Sequence, residues 1–255
     1  MAPVLQVVLN VIGGAITIAL IEMGKFWYEK SVQRKFKSVF GLNSYVASQF
    51  HLVYAHLFLM PIADECGKPI PYPYVKPGEE RRGTRFSIER PVSSCEVRAA
   101  KYLAASIGRN AKLSPILSSD IEMKGKLDVS FAAFGGPLSN YKTRDAIDNA
   151  ANNLLKFDNS LFTSAHTGES VVEFEADFDY GLILKIHPAQ FPKRNWFVCA
   201  GRGEWGTSGA AWYLANKWKE IYDFAGDSTF ALIVRVKRDQ DESAEPVVFR
   251  LSHKV

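Results

Sequence analysis

The chain has 255 residues and a mass of 28.5 kDa, which suits one substantial domain with an appendage and is tight for two domains. Hydrophobic residues at 47% and charged residues at 23% exclude a disordered chain and a multi-span membrane protein. Much of the net charge of +4 lies at Lys25, Lys30, Arg34, Lys35 and Lys37, just after the first hydrophobic run, so the basic balance points to a membrane surface and does not indicate nucleic acid.

From Met1 to Ile21 no side chain is charged, and eleven of these positions are Val, Leu or Ile. Such a run approaches the roughly 20 apolar residues of a spanning helix. No basic residue precedes it and no A-x-A site follows it, so the sequence predicts an uncleaved anchor, with a buried helix of the domain as the alternative. The basic residues after the run place the large domain on the cytoplasmic side, and Phe26, Trp27 and Tyr28 supply an interfacial aromatic belt. The expected organisation is a membrane anchor and basic juxtamembrane segment over residues 1–40, followed by a cytoplasmic α/β domain over residues 41–255. Membrane lipid, met through residues 1–37, is the expected partner, and Gly13, Gly14 and Ala15 offer a route to oligomers through the anchor.

Residues 50–59, FHLVYAHLFL, read as a first strand. Six prolines between 61 and 91 mark a loop excursion, with a candidate edge strand at 85–89. Ser93 and Glu96 have capping-box spacing, and Val97, Ala100, Leu103, Ala104 and Ile107 recur at helical intervals up to Gly108. Strands are predicted over 112–117 and 126–134, and a helix over 143–155. Segments 171–175 and 182–186 then read as a hairpin turning at Tyr180-Gly181. A strand over 196–200, a helix over 210–222, a strand over 230–236 and an edge over 247–251 complete the chain. Strands and helices alternating in this way predict a three-layer Rossmann-like α/β fold, with a mainly parallel sheet and a β-hairpin insertion, preceded by one N-terminal transmembrane helix.

Two glycine-rich turns carry the functional expectation. In the first, GGPLSN at 135–140, Gly135 and Gly136 permit close backbone approach, while Ser139, Asn140 and Thr143 place polar side chains beside helix-terminal amides. The plain alternative is a tight turn with an Asn or Ser cap. In the second, GRGEWG at 201–206 matches GxGxxG between a strand and a helix, and Thr207 and Ser208 extend it. It lies late in the chain, and no acidic residue clearly ends the next strand, so it does not indicate a dinucleotide cofactor. Arg202 is the candidate phosphate or carboxylate partner and Trp205 the candidate stacking surface; a solvated charge and a packed indole are their alternatives.

Glu204 and Asp145 are the candidate acid/base residues near these turns, with Asp128 also close in sequence. The five histidines form no HxxxH or HExxH pattern, so no metal site is expected. Cys66, Cys95 and Cys199 form no CxxC pair, which disfavours a disulfide framework and suits a reducing compartment.

The segments GGPLSNYKT, DYGLILKI and FVCAGRGEWGTSGAAWYL together resemble a poorly characterised group of prokaryotic α/β proteins. The resemblance covers roughly residues 90–236. It implies shared roles for Gly135, Gly136, Pro137, Asn140, Thr143, Asp179, Tyr180, Gly181, Gly201, Gly206 and Thr207, and it implies no particular reaction. The leading expectation is a membrane-anchored module that binds or senses a nucleotide-like or other anionic small molecule. An enzyme acting on a nucleotide or its glycosidic bond, and a structural or interaction membrane protein, are the alternatives.

Overall fold

The computed structural model describes residues 2–42, 49–57, 62–63, 66, 69–70 and 91–252. Helix α1 runs from Ala2 to Phe40, and strand β1, Phe50–Tyr54, follows. The two-residue strands β2 (Ile62–Ala63) and β3 (Pro69–Ile70) pair with each other. Then come α2 (Ser94–Ala111), β4 (Ile116–Ser119), α3 (Asp120–Met123), β5 (Ser130–Phe134) and α4 (Tyr141–Ile147). Strands β6 (Leu155–Asp158) and β7 (Leu161–Ser164) form a separate hairpin. The long β8 (Phe178–Ile186), β9 (Trp196–Gly201), α5 (Glu204–Asn216), α6 (Trp218–Ala225), β10 (Phe230–Lys237) and β11 (Glu245–Leu251) finish the domain.

The main sheet has seven strands in the order β11-β10-β8-β9-β5-β1-β4. Only β9, β5, β1 and β4 form a parallel block; β8 is antiparallel to both β9 and β10, and β11 is antiparallel to β10. The sheet is therefore mixed, where the sequence predicts it mainly parallel. The reason lies in the connections: the 30 residues between α4 and β8 hold a compact hairpin and no crossover helix, and β8 returns directly into β9.

One layer, made of α2, α5, α6 and the end of α1, covers one face through Leu103, Ile107, Leu214, Ile221 and Trp218. The other face is covered by α3, α4 and the β6–β7 hairpin through Met123, Ala146, Ile147, Phe157 and Phe162. The central strands are buried on both sides, which is why β5, β8 and β9 read as near-continuous apolar runs.

The expected spanning helix is overturned. Among the described residues, no helix is long and apolar enough to cross a membrane. From Ile16 onward α1 soon meets Glu22, Lys25, Glu29 and Lys30, and charges of this kind are costly in hydrocarbon. Its last turns belong to the domain instead. Phe36, Val39 and Phe40 are fully buried, and the Phe40 ring packs 5.3 Å from Phe197 and 6.3 Å from Phe50.

Several local expectations also change. Helix α4 stops at Ile147, and Leu155 opens β6, because Asn152 accepts the chain reversal by donating to Ile147 O and Leu155 O. Tyr180-Gly181 is not a turn but the middle of β8, and residues 171–175 are not a strand. The single helix expected over 210–222 is two helices, α5 and α6, divided at Lys217. The candidate edge strand at 85–89 lies outside the described residues.

Candidate functional site

The chain leaves β1 for α2 on one face of the sheet, leaves β5 for α4 on the other, and leaves β9 for α5 back on the first. Changes of face between neighbouring parallel strands open crevices at their carboxyl ends, where ligands of open α/β sheets bind. Both glycine-rich turns lie at this edge, since Phe134 and Cys199 are register partners on adjacent strands. The N-terminus of α2 adjoins both turns. The carboxyl of Glu96 faces Gly135, and the charge of Glu204 reaches Cys95.

At the first turn Gly135 has φ +87, a conformation that glycine tolerates, and a Cβ there would meet Glu96 Oε1 and Ser139 Oγ. Asn140 is fully buried as the cap of α4: its Oδ1 accepts from the amides of Lys142 and Thr143, and its Nδ2 donates to Val53 O and Phe134 O. Thr143 is also fully buried and donates to Gly135 O at 2.9 Å. The Tyr141 amide is taken by Asp120 Oδ2, and the Asn140 amide by Gly136 O. These helix-terminal donors are thus satisfied within the protein, with Asn140 as the cap and Thr143 tying α4 back to Gly135. Ser139 Oγ donates to Gly136 O at the rim of the turn.

The second turn is closed in the same way by a carboxylate. Asp179 Oδ1 accepts from the Gly203 amide at 3.1 Å, and Oδ2 accepts from the Gly206 amide at 2.7 Å. An anion bound at this helix N-terminus would occupy the place that Asp179 already fills. Thr207 Oγ1 accepts from the Gly201 amide, and the Arg202 amide donates to Tyr180 O. Gly181 and Gly206 are there for packing: a Cβ on either would strike the backbone of the other element, so their bareness lets α5 start directly against β8.

The side chains of this turn meet neighbouring groups of the protein. The Arg202 guanidinium lies 3.7 Å from the Phe174 ring centre, and Trp205 packs under Arg98 at 4.2 Å. Ser208 is buried in a network in which Arg98 reaches Ser208 Oγ and Asp241 Oδ2 at 3.1 Å, while Tyr102 donates to Asp241. Neither Arg202 nor Ser208 is aimed at a shared pocket with the first turn. The candidate acids are also apart. Glu204 is exposed on α5, whereas Asp145 sits on α4 across the sheet, paired with the buried Lys142 at 2.8 Å. Asp128 is held in a surface pair with Arg194.

An open cavity does exist at the first turn. Of about 330 Å³, it is lined by His56, Leu57, Asp120, Ile121, Leu138, Ser139, Tyr141 and Arg144. Arg144 Nε donates to Pro137 O, and its guanidinium stands 5.6 Å from the Tyr141 ring centre; Lys124 approaches the same ring to 4.6 Å. Arg144 forms no ion pair among the described residues. Asp120 contributes a carboxylate, but its oxygens answer the amides of His56 and Tyr141. Among the described residues, His56 Nδ1 is buried without a hydrogen-bond partner.

Beside this cavity, on the α2 side, Glu96 is 3% exposed, with Oε2 accepting from the Ala55 amide. Burial, reinforced by the charge of Asp120 and opposed by that hydrogen bond, pushes its carboxyl up to about 7. The spacing of Ser93 and Glu96 predicts a capping role for Glu96. Ser93 makes no such cap, and Glu96 is diverted to the end of β1. Asp120, His56, Tyr141 and Arg144 were missed; Ser119 and Glu122, which do form a capping box beginning α3, were the available signal for Asp120.

Among the described residues, no three His, Cys, Asp or Glu side chains are grouped as a metal site requires. Comparison with protein-family models, with curated proteins and with solved structures finds no match.

Proposed function

We propose that this chain binds a small anionic molecule in the cavity at the carboxyl ends of β1 and β5, and that binding is the role of the site. The observation that carries this reading is Arg144, a guanidinium without a carboxylate partner, beside the Tyr141 ring in a crevice where the chain switches faces. Arg144 would take a phosphate or carboxylate, Ser139 would add a hydroxyl, and Tyr141 would meet a planar group. The volume is at the lower end of the roughly 300–1,000 Å³ of small-molecule sites, which favours a compact ligand such as a nucleoside monophosphate over a dinucleotide. Calorimetric titration with nucleoside monophosphates and aromatic carboxylates tests this. Binding that is lost in Arg144→Gln and kept in Arg202→Gln supports the reading; no binding of any of these, or equal binding by Arg144→Gln, contradicts it.

One observation favours a catalytic alternative. Glu96 is a buried carboxyl poised near neutrality, facing Gly135, where a Cβ would meet both Glu96 Oε1 and Ser139 Oγ. That is the environment of a general acid or base. Turnover of a bound compound that disappears in Glu96→Gln, with affinity retained, would favour the enzyme. A compound that binds and is recovered unchanged favours the binding module.

A further inference from the structure

Residues 16–31 of α1 are exposed, although Phe26 and Tyr28 also border an open groove against Arg109, Lys112 and Lys219 of the domain. Ile18, Leu20, Ile21, Phe26, Trp27 and Tyr28 are each more than half exposed. Successive helical residues point about 100° apart, so the three consecutive aromatics face three different directions. A single flat partner or neighbouring helix would cover one stripe of such a surface. The exposed apolar side chains alternate with Glu22, Lys25, Glu29 and Lys30, so what covers them must accept charge as well as apolar surface.

The charge pattern narrows the medium. Between residues 22 and 37 five basic side chains face two acidic ones, and the basic ones continue toward the domain after the aromatics end. Lys30 Nζ lies 5.6 Å from the Phe26 ring centre and 5.9 Å from that of Trp27, so cation and rings share one level of the helix. Aromatic rings and cations at a common depth match the headgroup layer of a bilayer, and positive charge is complementary to anionic lipid.

We propose that this exposed part of α1 docks on an anionic lipid surface, with Phe26, Trp27 and Tyr28 at the headgroup level and Lys30 and Arg34 on lipid phosphates. The contact is with one leaflet and does not depend on the ligand cavity.

Flotation of the full chain with vesicles tests it, using phosphatidylcholine alone and phosphatidylcholine mixed with phosphatidylglycerol. The chain floats with the mixed vesicles, and less so in high salt. Replacing Phe26, Trp27 and Tyr28 together by Ser lowers the bound fraction about tenfold or more, and replacing Lys25, Lys30 and Arg34 by Gln removes the preference for anionic lipid. Both variants keep the thermal midpoint of the wild type, since the altered side chains are exposed. Failure to float, or equal flotation by the Ser variant, overturns the proposal. So does self-association in lipid-free buffer that the Ser variant abolishes, which would make a second copy the occupant.

Discussion

Asp179 holds three amides at once, those of Gly203, Gly206 and Tyr180, and so does at the second turn what a bound anion does at other glycine-rich turns. Asp179→Ala leaves these donors without their partner and should cost about 1–3 kcal/mol of stability, with Asp179→Asn losing less, as read by urea unfolding. An unchanged midpoint would mean that water or a ligand serves the turn as well. Glu96 supplies a second residue-scale test. Its folded carboxyl titrates near 7 against an ordinary 4.5, so the folded state binds the extra proton between those values. The stability this proton carries is complete below the lower value and is lost as pH rises through the upper one, up to about 3 kcal/mol. Glu96→Gln should therefore raise the thermal midpoint at about pH 8 more than at about pH 5. Equal shifts at both would show that the carboxyl is not held in its protonated form.

At the scale of elements, the end of α1 is the test of where the domain starts. Phe40 touches Phe36, Phe50 and Phe197 and is fully buried, so Phe40→Ala should cost about 3–5 kcal/mol in urea unfolding. A loss below about 1 kcal/mol would put this turn outside the core. The strands β5 and β9 and the turns after them were legible, because a doubly buried strand is an apolar run and GG or GxG punctuates its end. The same punctuation misled at Tyr180-Gly181: a glycine needed for close approach between α5 and β8 leaves the same mark in sequence as one needed for a turn. The end of α4 was invisible for a related reason, since the apolar spacing of 143–155 continues past Ile147 and only the long-range bonds of Asn152 reverse the chain. Of the candidate site, Gly135, Ser139 and their edge of the sheet could be read directly. The capture of Ala55 by Glu96 and of His56 by Asp120 spans 41 and 64 residues, and such pairings have no local signature.

For the whole molecule, the sheet order sets where binding can occur. The face switches around β5 bring α2, the first turn and the second turn to one edge, yet only the first turn borders the open cavity described here, because internal carboxylates and side chains already fill the second. Amide chemical shifts of the full chain, followed by NMR during titration with a nucleoside monophosphate, read this division directly. Shifts confined to His56, Leu57 and residues 138–144, and absent in Arg144→Gln, are the expected result; shifts centred on residues 201–208, or none at all, would contradict it.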